Sequence, residues 1–244
     1  MLLSGTGDPR DAFCGTRAGS RLSFSPGPPA AGSVDGVSDD DIDPAVTPLS
    51  EWLDRLAQAH GAPGGGAASA VMTAISAALL GMVAAYTAHD SEARMAAQRL
   101  AVIRRAAATA AEEDGIRSAD FGTALALDKG AAREHAVRKA TVDAITSSLT
   151  IGRLAASLVD EVRLLARIGN PHVEADLLVA VEALRAALGG ADVTARADLD
   201  LLAKHRSSND GLDAEFASLE RGIGDLARTL SELEDTAAYR RSGD

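Results

Sequence analysis

An all-α fold is what this 244-residue sequence predicts: a multi-helix bundle around a central Ala-rich helix, preceded by a disordered N-terminal tail. Two observations carry that expectation. Aromatic residues make up only 3% of the chain while hydrophobic residues reach 46%, so the apolar content is mostly Ala, Leu, Val and Ile, a mixture dominated by good helix formers. Apolar residues also recur at helical spacing over most of the sequence, and nowhere does a strand-like alternation run for any length.

The tail is expected over residues 1–47, which carry Pro26, Pro28, Pro29 and Pro44, repeated Gly and Ser, and the acidic cluster Asp39, Asp40, Asp41 and Asp43. Such a segment cannot bury enough apolar surface to offset its ordering entropy. The helical domain then covers residues 48–244. Ser50 is positioned to cap a short first helix carrying Trp52, Leu53 and Leu56, which ends at the turn His60-Gly61-Ala62-Pro63.

After Gly64, Gly65 and Gly66 the pattern is apolar on nearly every face, as a helix surrounded by other helices requires. Residues 64–86 approach membrane-spanning length, but Ala and Gly dominate them and Ser69, Thr73 and Ser76 interrupt them, so they read as the central buried helix. Along it Ala70, Ala74, Ala77, Gly81 and Ala85 form a small-residue stripe suited to close approach by a neighbour.

Ser91 can cap the next helix, whose positions Met95, Leu100, Ile103 and Ala107 lead through the acidic run Glu112, Glu113, Asp114 towards Phe121. A break at Asp128-Lys129-Gly130 precedes a long helix through Val142, Ile145, Leu149, Leu154, Leu158, Val162 and Leu165. Gly169-Asn170-Pro171 closes it, since Gly suits a helix C-terminus and Pro resists continuing one. Two further helices are expected, over residues 173–188 and from near Val193, and a last one over about residues 212–238.

A net charge of −11 and a pI near 4.9 repel phosphate backbones and anionic headgroups, which argues against nucleic acid and membrane surfaces as partners. A single cysteine, Cys14, and five scattered histidines offer neither an internal disulfide nor the ligand spacing of a metal site. No secretory signal opens the chain, and a reducing cytoplasm is its expected home.

Pro63-Gly64-Gly65-Gly66 is the most informative segment. Consecutive glycines are costly in chain entropy, and at a helix N-terminus they leave backbone N–H groups where the macrodipole favours an anion or a polar ligand edge; the plain reading is a tight turn between packed helices. The acidic run ending in Asp114 reads either as a solvated helix face or as the source of a carboxylate base. Lys129 in a loop is ordinarily a surface lysine, Asn170 a linker residue, and Asp176 a partner for its helix dipole.

Taken in order, these segments resemble the cyclodeaminase/cyclohydrolase family, which includes the C-terminal domain of formiminotransferase-cyclodeaminase. The resemblance spans residues 50–199. Ala62-Pro63-Gly64-Gly65-Gly66, the helix after it and Gly81-Met82-Val83-Ala84 through Thr87 match the family's opening motif. Glu112-Glu113-Asp114 matches its acidic motif, Leu127-Asp128-Lys129 its Leu-Pro-Lys segment, and Gly169-Asn170 with Asp176 its Gly-Asn and Ser-Asp pair. The chain departs from the pattern at Ala67, Ser118 and Asp128, where Ser, Phe and Pro are usual. It departs again at Thr194-Ala195 and Asp198-Leu199, where the family has Asn-Val and Asn-Leu.

The resemblance implies a folate enzyme with no metal or redox cofactor, acting on a reduced folate and assembled as a homodimer. The reaction is cyclodeamination of 5-formiminotetrahydrofolate or hydrolysis of 5,10-methenyltetrahydrofolate. It gives Asp114 the role of proton relay, with Glu113 and Glu112 behind it, and places Lys129 near the folate glutamate or the developing charge. Backbone N–H groups of Gly64, Gly65 and Gly66 would meet polar edges of the ligand, and Asn170 and Asp176 the pterin edge. The alternative is a catalytically silent member that keeps the fold as a binding or assembly module.

Overall fold

The computed structural model describes residues 46–59, 62–206 and 211–241, so the expected tail lies outside the described residues except for Val46 and Thr47. Among the described residues there is no strand. Seven α-helices follow one another: α1 (Leu49–Leu56), α2 (Gly65–Ala85), α3 (Ser91–Ala126), α4 (Ala131–Ala156), α5 (Val159–Ile168), α6 (Glu174–His205) and α7 (Asp213–Arg241), with a 3-10 turn, Pro171–Val173, before α6.

The Ala-rich helix α2 packs chiefly between α3 and α6, while α4 lies across α3 and α6, and α7 covers α4 and α6. Its length and composition would also suit a membrane span, as would residues 131–168, but half of each window is buried in the bundle. Two apolar clusters fill the interior. One surrounds the C-terminal half of α2, with Leu80 and Val83 against Leu100, Leu158, Leu165, Leu184 and Leu188. The other surrounds its N-terminal half, with Ala67 and Ala70 against Trp52, Ile145, Leu149 and Leu202.

The helix ends correct the sequence reading in four places. Pro48, not Ser50, occupies the N-cap position of α1. Asp90, not Ser91, caps α3, its carboxylate accepting from the N–H groups of Glu92 at 2.7 Å and Ala93 at 3.2 Å. The single helix expected across residues 142–165 is two, because the chain tightens into an i to i+3 bond from Leu158 N–H to the Ala155 carbonyl at 3.0 Å. Conversely the two helices expected after Pro171 are one, since α6 runs unbroken through Gly189-Gly190.

That last difference has a steric cause. A Cβ at Gly190 would collide with the hydroxyl of Ser69, so α6 keeps a costly mid-helix glycine in exchange for close approach to α2. Towards α6, α2 presents Ser69 and Ser76. Ser76 donates to the Ala180 carbonyl at 2.9 Å, while Ser69 and Thr73 bond back to carbonyls of their own helix. Of the small-residue stripe, Ala70 and Ala77 are buried, and Ala85 is exposed.

Candidate active site

Helix α2 begins without a side chain to cap it, because its N-cap residue is Gly64. The amides of the first helical turn have no partner within their own helix. Asp114, in the middle of α3, serves this end from outside: the backbone N–H of Ala67 donates to its carboxylate. Only glycine fits at residue 66, since a Cβ there would lie 2.6 Å from the Asp114 carboxyl carbon. The glycine turn and the carboxylate thus fit each other sterically as well as electrostatically.

Asp114 is 6% exposed. Ser147 of α4 donates to its Oδ1 at 2.8 Å. Burial pushes the Asp114 carboxyl above the ordinary carboxylate range, against the smaller opposing effects of the Ser147 hydroxyl, the Ala67 N–H and the Arg117 charge. Its neighbours in the acidic run point elsewhere: Glu113 is exposed and pairs with Arg117 at 3.7 Å, and Glu112 is half-buried. Helical spacing turns one of the three carboxylates inward.

The opposite wall is α6. The Thr194 methyl sits 3.3 Å from where a Cβ on Gly65 would be, and the Thr194 hydroxyl shares a 3.0 Å hydrogen bond with that of Ser148. One turn further along, Asp198 is half-buried and pushed up to about 6, first by burial and then by the nearby Asp114 charge. Four helices thus bring together a glycine-rich helix N-terminus, two carboxyl groups with raised proton affinity and three hydroxyls. Such a site can take a proton from one atom of a ligand and return it to another near neutral pH.

Of the predicted site residues, the fold gathers Gly64, Gly65, Gly66 and Asp114. Lys129 is exposed in the α3–α4 loop. Twelve helical residues separate Asp114 from the end of α3 at Ala126, about 18 Å at the α-helical rise. Between them a groove of about 270 Å³ runs along α3 and α4, lined in part by Arg117, Asp120, Leu127, Lys139 and Asp143.

Asn170 stands at the other end of α2, about 30 Å from Gly65 by helix rise. Its N–H donates to Thr87 Oγ1 at 3.0 Å, its Nδ2 to the Tyr86 carbonyl at 3.3 Å, and its Oδ1 accepts from the His172 N–H at 3.0 Å. Asp176, in the first turn of α6, lies about 27 Å along that helix from Thr194. Sequence reasoning passed over Ser147 and Ser148, whose one signal is a pair of adjacent hydroxyls between the buried Ile145 and Leu149. Thr194 and Asp198 entered it only as departures from the family pattern.

Comparisons with known proteins bear on the family and the fold. The family model described as formiminotransferase-cyclodeaminase matches residues 48–210. A solved formiminotetrahydrofolate cyclodeaminase from Thermotoga maritima is similar, with a TM-score of 0.61 and 20% sequence identity over 80% of this chain and 98% of that one. At that identity the likeness concerns the fold. Nothing among the curated proteins matches. The family match covers well over half of the sequence, and the chain belongs to the formiminotransferase-cyclodeaminase family.

Proposed function

We propose that this family member is an enzyme of one-carbon folate chemistry that works at the bridge between N5 and N10 of tetrahydrofolate. It either cyclodeaminates 5-formiminotetrahydrofolate or hydrolyses 5,10-methenyltetrahydrofolate. The observation that carries the reading is Asp114, a buried carboxyl with raised proton affinity set against the open glycine turn of α2. A carboxyl whose proton affinity is raised by burial holds and hands on a proton more readily than an ordinary one.

In cyclodeamination N10 attacks the formimino carbon and loses its proton, and the departing nitrogen gains one to leave as ammonia. In hydrolysis water attacks and loses a proton, and N5 gains one as its bond to the carbon breaks. Asp114 serves as relay in either case. Ser147 holds its Oδ1, and the Ala67 amide fixes the carboxyl plane at the head of α2.

The groove along α3 and α4 gives the rest of a folate a path from Asp114 towards Lys129, whose ammonium would then meet the glutamate end rather than the reacting carbon. Asn170 and Asp176 could reach the same ligand only from a second copy, given their distance along α2 and α6, so their proposed pterin contacts require the expected homodimer. We place the activity in the cytoplasm on the ground of the lone cysteine.

Purified protein, without added metal, is expected to consume the methenyltetrahydrofolate chromophore or to form it from the 5-formimino compound. Asp114→Asn should lower turnover by roughly 10²-fold or more while reduced folate still binds. Thr194 and Asp198, which replace the family's customary residues inside the pocket, favour a second reading as a silent binding module. Folate binding by the wild type with no turnover of either compound would establish that second reading.

A further inference from the structure

Asp198 occupies an unusual place for a carboxylate. On α6 it shares the inward stripe with Ala191, Ala195 and Leu202, all fully buried, where helical periodicity calls for an apolar residue. The turn before it, through Thr194, touches Gly65 and Ser148. No described residue donates a hydrogen bond to Asp198. Among the described residues Asp114 is the charge that bears on it, and Arg117 the charge that bears on Asp114.

The remaining surroundings are electrostatically quiet. Helix α2 contains no titratable residue, and near the pocket α4 presents the hydroxyls of Ser147 and Ser148. Further along α4, Glu134 and Arg138 close instead on His205, about two turns beyond Asp198 on α6. Among the described residues no charge of α7 bears on Asp198. Two carboxyls thus meet where α2, α3, α4 and α6 converge, with no cation of the described residues bearing on Asp198, an arrangement in which the second carboxyl gives up its proton at a higher pH than the first.

We propose that Asp198 is the proton-sharing partner of Asp114, so that the pocket holds one proton on two carboxyls and divides the two proton transfers of the reaction between them. This rests on the folate reading above. In cyclodeamination of the protonated formimino group, the N10–C bond forms and the N10 proton passes to the ionised carboxylate. The protonated carboxyl gives its proton to the amino nitrogen, the C–N bond breaks with its electron pair leaving on ammonia, and the methenyl cation remains. The pair ends as it began, with one proton and one negative charge, and the substrate's positive charge carries over to the product.

The test reads the shared proton without any folate. Protein labelled with ¹³C at aspartate carboxyls is titrated by NMR from pH 3 to 9, the two signals being identified by their loss in Asp114→Asn and Asp198→Asn. The pair predicts two linked steps in the wild type. In each variant the surviving carboxyl should titrate at least one pH unit lower than its upper step in the wild type. A surviving carboxyl whose titration is unmoved in folded variants overturns the proposal.

Where a variant fails to fold, the wild type still decides: its two carboxyl signals must each report both steps, and independent single steps overturn the pair. In turnover, Asp198→Asn should lower kcat at least 10-fold and lose the alkaline limb of the pH profile, and Asp198→Glu should restore that limb. Normal turnover in Asp198→Asn overturns the division of labour. Linked titration together with no turnover of either folate compound would instead sink the functional reading and leave the proton-sharing pair in place.

Discussion

Two carboxylates in this bundle are equally hidden, at 6% exposure each, and the bundle treats them in opposite ways. Glu161 of α5, beside the apolar cluster at the C-terminal half of α2, is gripped by the Arg99 guanidinium, whose Nη2 donates to its Oε2 at 3.0 Å. Asp114, at the N-terminal half, receives a hydroxyl and an amide, with the Arg117 charge as a lesser influence, and its own charge raises the Asp198 carboxyl. The first arrangement neutralises a charge to hold α3 and α5 together. The second leaves a charge under tension, a cost that is intelligible at a reaction site and purposeless in a strut.

Breaking the satisfied site gives the largest expected loss of stability. Arg99→Ala strands a buried carboxylate, and we expect urea denaturation to show a loss of about 2–3 kcal/mol, below the roughly 3–5 kcal/mol of fully buried broken pairs because Arg99 itself is half exposed. Turnover per folded molecule should be unchanged. A drop in kcat would mean that the two carboxylate sites are coupled and that the contrast drawn between them is false.

A smaller change disturbs the unsatisfied site. Gly66→Ala drives a methyl group into the Asp114 carboxyl, which must swing away from the α2 amides. Overpacking of this kind typically costs about 1–3 kcal/mol, and the better helix propensity of Ala offsets part of it, so a net loss near 1 kcal/mol is expected in thermal or urea unfolding. Turnover should fall far more than stability does. A variant that is destabilised but fully active would show that the carboxylate position matters only for packing.

The smallest effect has the opposite sign. The Asp198 carboxyl is held up to about 6 in the folded protein, against an ordinary value of 3.8. The native state therefore holds its proton over a range in which the unfolded chain has lost it, and stability falls as pH rises between those two values and stays lower above them. Asp198→Asn removes that loss. It should be more stable than the wild type by about 1 kcal/mol at pH 8, after discount for its partial exposure to water, with the gain shrinking to nothing near pH 4. Unfolding curves at the two pH values check both the sign and the window.

The contrast between the sites was only half visible in the sequence. Gly64, Gly65 and Gly66 before an apolar helix, and the acidic run ending in Asp114, stand out because both are contiguous and both break a local rule. Ser147, Ser148, Thr194 and Asp198 converge from two distant helices, and each alone looks like an ordinary helical residue. The α6 helix was misread for a related reason: Gly189-Gly190 carries a helix-breaking propensity, and only the tertiary contact with Ser69 shows why the helix tolerates it. The cap of α3 slipped by one residue because Asp90, beside Ser91, takes the first amides, whereas α1 starts two residues early at Pro48, which caps it with no side-chain bond. Apolar periodicity, by contrast, located α2 and the α3–α4 break directly.

The burial of α2 also bears on how the chain comes to be made. Taken by itself, this helix is the segment whose composition is hardest to keep in water, and it is synthesised early in the domain. One of its two principal partners, α3, follows after a link of only five residues, Tyr86 to Asp90, whereas α6 arrives some ninety residues later, by about eighteen seconds at the slow end of ribosomal rates. A helical hairpin of α2 and α3 closes through local contacts, which form fast. The order of helices along the gene thus shields the stickiest segment of the nascent chain long before the pocket it helps to build can exist.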